Sequence, residues 1–150
     1  MNPVVVWNDM YSIGMPEIDE QHKILFDLIN QLWAAIVNRS SVEEQLKSIE
    51  GLEAYTLSHF TAEETFMRAF KYPDFDNHKK IHEAFIKKVA QEKVNLQATR
   101  HLSLDIVHFL NNWLIDHIMV SDKAYAKYCT EKATPTSFVS KFFKGVFGSR

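Results

Sequence analysis

Apolar residues recur every three or four positions in four stretches of this chain, and turn-forming residues separate the stretches. The spacing predicts a first helix over about Pro16–Asn38, with Pro16 in its opening turn and Glu17, Asp19 and Glu20 at its electropositive end. A second helix is predicted from Ser41, which pairs with Glu44 in a capping box, to Phe70, just ahead of Tyr72-Pro73. A third begins near Asp76 and fades around Leu96. A fourth runs from about Ser103 to Glu131 and is stopped by Thr134-Pro135. Four long helices on short connections predict an all-α protein, an antiparallel up-down-up-down four-helix bundle. The bundle should occupy about residues 16–132. Residues 1–15 read as an extended arm and residues 133–150 as an extension with a short C-terminal helix over 136–147. With no internal repeat, residues 1–150 read as one domain.

Polar residues interrupt the apolar faces in a regular way. His59 and Glu63 are four apart, so they project one turn apart from one face of the second helix, and His78 and His82 repeat that geometry on the third. His22 shares its face with Ile18, Leu25, Phe26, Ile29 and Trp33. His117 lines up with Ile106, Leu110, Trp113 and Leu114. All four helices therefore send imidazole toward one core. The two other histidines serve as controls: at about 100° per residue, His108 lies about 180° and His101 about 160° away from His117, so both should face solvent or a loop. Asp122 is ambiguous. Five residues after His117, it sits about 140° off in a regular helix but only about 40° off if a π-type turn intervenes. Spacing leaves ligand and surface residue equally open.

A lone buried histidine is usually a hydrogen-bonded core residue. Five of them with buried carboxylates, and no Lys or Arg on the same faces, leave negative charge without a partner, and metal ions would supply it. Imidazole suits zinc, copper and iron, while carboxylate adds harder character. The full set of His22, His59, Glu63, His78, His82, His117 and Asp122 is too large for one tetrahedral zinc. Two ions bridged by Glu63 and Asp122 would use all seven and leave one coordination position open. The imidazole excess favours a reduced metal pair over strongly oxidising states. Leu25, Phe60, Trp113, Leu114 and Ile118, next to the ligands, form an apolar lining suited to a small apolar ligand such as O2.

Composition narrows the function classes. The chain has 150 residues, 46% apolar and 24% charged, with net charge -2, so no overall field draws it to nucleic acid or anionic lipid. Cys129 is the single cysteine, which excludes an intrachain disulfide and fits a reducing compartment. No signal peptide is evident and no apolar run approaches the roughly 20 residues of a membrane span, so a cytoplasmic location is expected. In the extension, Phe138, Val139, Phe142, Phe143, Val146 and Phe147 form an apolar stripe beside Lys141 and Lys144. It reads as a short helix packed on the bundle. The alternative is docking of 136–147 to a membrane surface or to a partner such as an oxygen-consuming protein.

The stretches Val-Trp-Asn at 6–8, Ile-Asp-Glu-Gln-His at 18–22, His-Phe-Thr-Ala-Glu-Glu at 59–64, His-Lys-Lys-Ile-His at 78–82 and Trp-Leu-Ile-Asp-His-Ile-Met-Val-Ser-Asp at 113–122 resemble the hemerythrin family, in particular its bacterial single-domain members. Myohemerythrin, a muscle relative, is a known example of the same bundle. The resemblance implies a non-haem di-iron centre that binds O2 reversibly. His78, His82 and His117 would hold one iron, and His22 and His59 the other, which keeps the open position. Glu63, Asp122 and an oxo or hydroxo group would bridge them. The resemblance also implies that Asp122 is a ligand. An oxygen carrier, store or delivery protein, monomeric and not an enzyme, is the expectation. The alternatives are a di-iron peroxidase or oxidase, a nitric-oxide-handling protein, or an O2 sensor.

Overall fold

Short polar connections turn the chain back on itself three times. The computed structural model describes residues 2–132. Helix α1 spans Pro16–Val37, α2 Val42–Ala69, α3 Phe75–Thr99 and α4 Leu104–Asp116. A π-helical turn over His117–Asp122 joins α4 to α5, Lys123–Lys132, so the predicted fourth helix is continuous but locally widened. Among the described residues there is no strand, and the four-helix bundle stands as expected. The short helix expected over 136–147, with its docking surface, lies outside the described residues.

Each boundary has a local cause. Pro16 opens α1 without a side-chain cap, and Glu17 and Asp19 sit in its first turn. At α2 the capping box forms in full: the Glu44 backbone donates to Ser41 Oγ, and the Ser41 backbone donates to Glu44 Oε2 at 3.0 Å. Ser103 caps α4 by accepting from the Asp105 backbone. The ends of α1, α2 and α3 are followed by Arg39, Lys71 and Arg100 in the left-handed region, at φ 54°, 52° and 60°. Glycine or asparagine usually fills that position, and another residue costs on the order of 1 kcal/mol there. A cationic side chain offsets part of the cost by lying at the electronegative helix end. The third helix thus runs on to Thr99, three residues past the Leu96 expected from periodicity.

The core is apolar above and below a polar band. Ile29, Leu32, Ile49, Leu52, Val89, Leu96, Val107 and Leu110 fill one end, and Met15, Ile18, Phe66, Met67, Tyr125 and Cys129 the other. The arm is better anchored than an extended tail. It contains a 3-10 turn, Asp9–Tyr11, capped by Asn8. Asn30 on α1 accepts from the backbone of Val4 and Val5 at 2.9 and 3.1 Å and donates to the Val5 carbonyl at 2.8 Å. Buried Asp19 accepts from Ser12 Oγ and from the Ile13 backbone. Replacing Asn30 by alanine is expected to cost about 1–3 kcal/mol and to free the arm. Limited proteolysis checks this: the variant should be clipped within residues 2–8 before the helices are cut.

Candidate metal centre

One turn of each helix delivers the polar band. His22 comes from α1, His59 and Glu63 from α2, His78 and His82 from α3, and His117 and Asp122 from the two ends of the π-helical turn. All seven are buried, Glu63 and Asp122 completely. The widened turn is what brings Asp122 to the face of His117; Asp122 Oδ1 lies 3.1 Å from His117 Nε2. His101 and His108 are exposed, as their facing predicted.

The carboxylate oxygens divide the histidines into two groups. Glu63 Oε1 faces His59 Nε2 at 2.9 Å and His22 Nε2 at 3.5 Å, while Oε2 faces His82 Nε2 at 3.3 Å and His78 Nε2 at 3.5 Å. Asp122 divides the same way, with Oδ2 toward His22 at 3.1 Å and Oδ1 toward His78 at 3.3 Å and His117. Two candidate metal positions result: Glu63, His78, His82, His117 and Asp122 converge on one, and His22, His59, Glu63 and Asp122 on the other. Both carboxylates belong to both groups. On the three-histidine side, His82 Nε2 lies 3.0 Å from His78 Nε2 and 3.1 Å from His117 Nε2. Bonds of about 2.1 Å at right angles to one ion would set neighbouring ligand atoms about 3.0 Å apart.

Proton accounting favours cations over a plain hydrogen-bond network. His59 Nδ1 meets Gln21 Oε1 at 2.7 Å, and His82 Nδ1 meets Glu64 Oε2 at 3.0 Å. Both oxygens accept, so each Nδ1 carries a proton and each neutral ring turns a bare Nε2 inward. A proton added to His82 Nε2 could serve only one of three acceptors around it. His22 Nε2, His59 Nε2 and all four carboxylate oxygens are buried without a hydrogen-bond partner. Leaving such groups unpaired costs about 1–3 kcal/mol each, more for charged ones. Among the described residues, the ion pairs of Glu63 and Asp122 are with histidines only.

The titration behaviour reflects the same charge imbalance. Burial alone would lower His22, but the Asp122 and Glu63 carboxylates facing it overcome that and raise the imidazole to about 9. His78 is likewise raised to about 9 against its burial by Asp122 and Glu63. His82 is raised against its burial by Glu63 and Glu64, whereas burial lowers His59 despite Glu63. Burial would raise Glu63 and Asp122, yet the histidines hold both below the ordinary carboxylate range.

Aromatic rings hold the three-histidine side in place. Phe60 stacks on His82 at 3.7 Å between ring centres, and Trp113 stacks on His117 at 4.5 Å. Leu25, Leu114 and Ile118 are buried in the core. A surface groove of about 360 Å³ between α2 and α3 reaches Phe60, Glu64 and His82. Sequence reasoning missed Gln21, Glu64 and Tyr125. Gln21 and Glu64 adjoin ligands in sequence, but a neighbour points about 100° away, off the ligand-bearing face. Tyr125 was legible: it follows Asp122 by three residues, one turn on. Its ring lies 5.5 Å from that of His78, and its buried hydroxyl has no partner in full hydrogen-bonding geometry. Burial, with Glu63 and Asp122 beside it, pushes the phenol well above its ordinary range.

Comparison with known proteins agrees with this geometry. The hemerythrin HHE cation-binding domain profile matches residues 14–129. Bacteriohemerythrin of Stenotrophomonas maltophilia is 37% identical over 125 residues, covering 82% of this chain and 80% of that protein. Bacteriohemerythrin of Pseudomonas aeruginosa is 38% identical over 121 residues, covering 81% and 78%. A crystal structure of wild-type hemerythrin superposes with a TM-score of 0.79 at 28% identity, over 85% of this chain and 98% of that one. With the profile spanning all but the last turn of the bundle, this chain belongs to the hemerythrin family.

Proposed function

We propose that this chain is a single-domain protein that holds two iron ions and binds O2 reversibly as a carrier, store or delivery protein. The observation that carries the reading is the division of the Glu63 and Asp122 oxygens between two histidine groups. His78, His82 and His117 would hold one ion, His22 and His59 the other, and Glu63 and Asp122 would bridge them. The second group offers one imidazole fewer, so an ion held there would have room for O2, and iron would supply the electrons that reversible O2 binding needs. Gln21 and Glu64 orient His59 and His82 by fixing their Nδ1 protons. Leu25, Phe60, Trp113, Leu114 and Ile118 give the centre an apolar lining, which supports holding O2 over consuming it. They carry no acid or base, which disfavours an enzyme.

No helix among the described residues is long and apolar enough to cross a membrane. A cytoplasmic monomer that serves an oxygen-consuming partner fits this reading, with nitric oxide as a second ligand of the same position.

The deciding measurement is the optical spectrum of iron-loaded protein before and after O2 is admitted. A charge-transfer band should rise with O2 and vanish under vacuum. One zinc per chain, or protein free of metal after growth in ample iron, would sink the reading. The facing of the helices adds a control. His108→Ala should leave iron content unchanged, whereas His78→Ala should lower it; equal effects would be incompatible with the two histidine groups.

A further inference from the structure

A line of aromatic rings leaves the polar band at the α5 end. The ring of His78 lies 5.5 Å from Tyr125, Tyr125 lies 6.4 Å from Tyr72, and Tyr72 lies 5.4 Å from Tyr128. Tyr125 is fully buried, while Tyr72 and Tyr128 are half-buried. Tyr128 donates toward the Lys71 carbonyl at 3.4 Å, at the surface of the α2–α3 loop. Tyr125 and Tyr128 are three apart on α5, so they share a face, and Tyr72 stands beside both. The Tyr125 hydroxyl sits beside the Glu63 carboxylate, which ties the inner end of the line to the polar band.

We propose that Tyr125, Tyr72 and Tyr128 form an electron relay from the buried centre to the protein surface, which lets oxidising equivalents of hydrogen peroxide leave as tyrosyl radicals. The proposal rests on the two-iron reading. Two phenols each give up one electron and one proton. The O–O bond of one hydrogen peroxide breaks and takes both pairs, leaving two waters. Oxidation of Tyr125 is refilled from Tyr72 and then from Tyr128, so the radical comes to rest at the surface and spares the buried imidazoles. An ene-diol reductant in solution, such as ascorbate, returns the tyrosyl to phenol by giving one electron and one proton. The protein thereby gains a route for reduction by molecules too large to reach the buried site.

The test uses the full chain loaded with iron, its iron content and O2-dependent band measured first. After hydrogen peroxide is added and the sample frozen, electron paramagnetic resonance should give a tyrosyl signal that ascorbate removes. Peptide mapping of spin-trapped protein should place the adduct on Tyr128. Tyr72→Phe, at a half-buried position, should lower the Tyr128 adduct by an order of magnitude, and both Tyr72→Phe and Tyr128→Phe should increase oxidation of the buried histidines. Absence of a tyrosyl signal in protein with normal iron and band overturns the relay and leaves the two-iron reading intact. An undiminished adduct in Tyr72→Phe, or a radical on Trp113 instead, also overturns it. Loss of iron and band in the parent protein overturns both.

Discussion

On the proposed two-iron centre, Glu63→Ala is expected to empty both metal positions at once and leave the chain almost free of iron. Like Asp122, Glu63 turns its two oxygens to different histidine groups, and it touches four of the five buried imidazoles where Asp122 touches three. Removing it takes a ligand from each position and half the negative charge that offsets the cations. Outer partners of a metal ligand are typically worth about 10–100-fold in affinity, so a shared ligand should exceed that range. His117→Ala gives the contrast, because His117 belongs to one group only and should leave the other ion in place. Glu63→Gln preserves the shape if the alanine variant folds poorly. Iron assay of the purified variants decides the matter: Glu63→Ala or Glu63→Gln protein that keeps both ions would rule out the bridge.

Stability of the metal-free protein is expected to fall as pH rises from 6.5 to about 9. His22 and His78 stand at about 9 in the fold against 6.5 for an ordinary imidazole. A raised imidazole favours the folded state in full below 6.5, and the contribution is lost as pH climbs through the folded value. Every tenfold gain in proton affinity on folding is worth about 1.4 kcal/mol, so the loss over this window amounts to several kcal/mol. Acid acts on other groups. Glu63 and Asp122 are held low, so their contribution is present above the ordinary carboxylate range and is lost on acidification. His59 is lowered by burial, and protonating it below 6.5 also opposes folding. Bound metal replaces the protons of His22 and His78, so loading should strengthen as pH rises. Melting temperatures of loaded and chelator-stripped protein, measured across this range, should diverge with increasing pH. A flat metal-free profile between 6.5 and 9 would refute the pairing of these imidazoles with the carboxylates.

The helices and six members of the band were legible because both rest on angular arithmetic. Apolar spacing set the faces, and four-residue pairs such as His59 with Glu63 and His78 with His82 declared a shared direction. Asp122 resisted, because a regular helix turns it away from His117, and spacing supplied no reason to prefer a wider turn. The Nδ1 partners were invisible for a different reason. Gln21 and Glu64 act across helix boundaries, reaching His59 and His82 on neighbouring helices. Such pairing depends on the rotation and offset of packed helices, which periodicity within one helix does not encode. The latch of the arm on Asn30 is hidden for the same reason, since its partners are 25 and 26 residues away. Cys129, a marker of a reducing compartment by its solitude in the sequence, proves to be a packed core thiol that burial pushes up to about 12.

The π-helical turn makes the last helix indifferent to one residue of its own length. Counting from Leu114, buried Asp122, Tyr125, Ala126 and Cys129 fall where a regular helix would place the residue before each of them. The turn absorbs the surplus, so the chain emerges from it with the core-facing side unchanged. Val120, 70% exposed within the turn, contributes nothing to the core. Shortening the chain there would leave every buried position downstream in phase and alter only how His117 and Asp122 approach each other. Chain length at this point is therefore a setting for the centre alone, separable from the packing of the bundle that carries it.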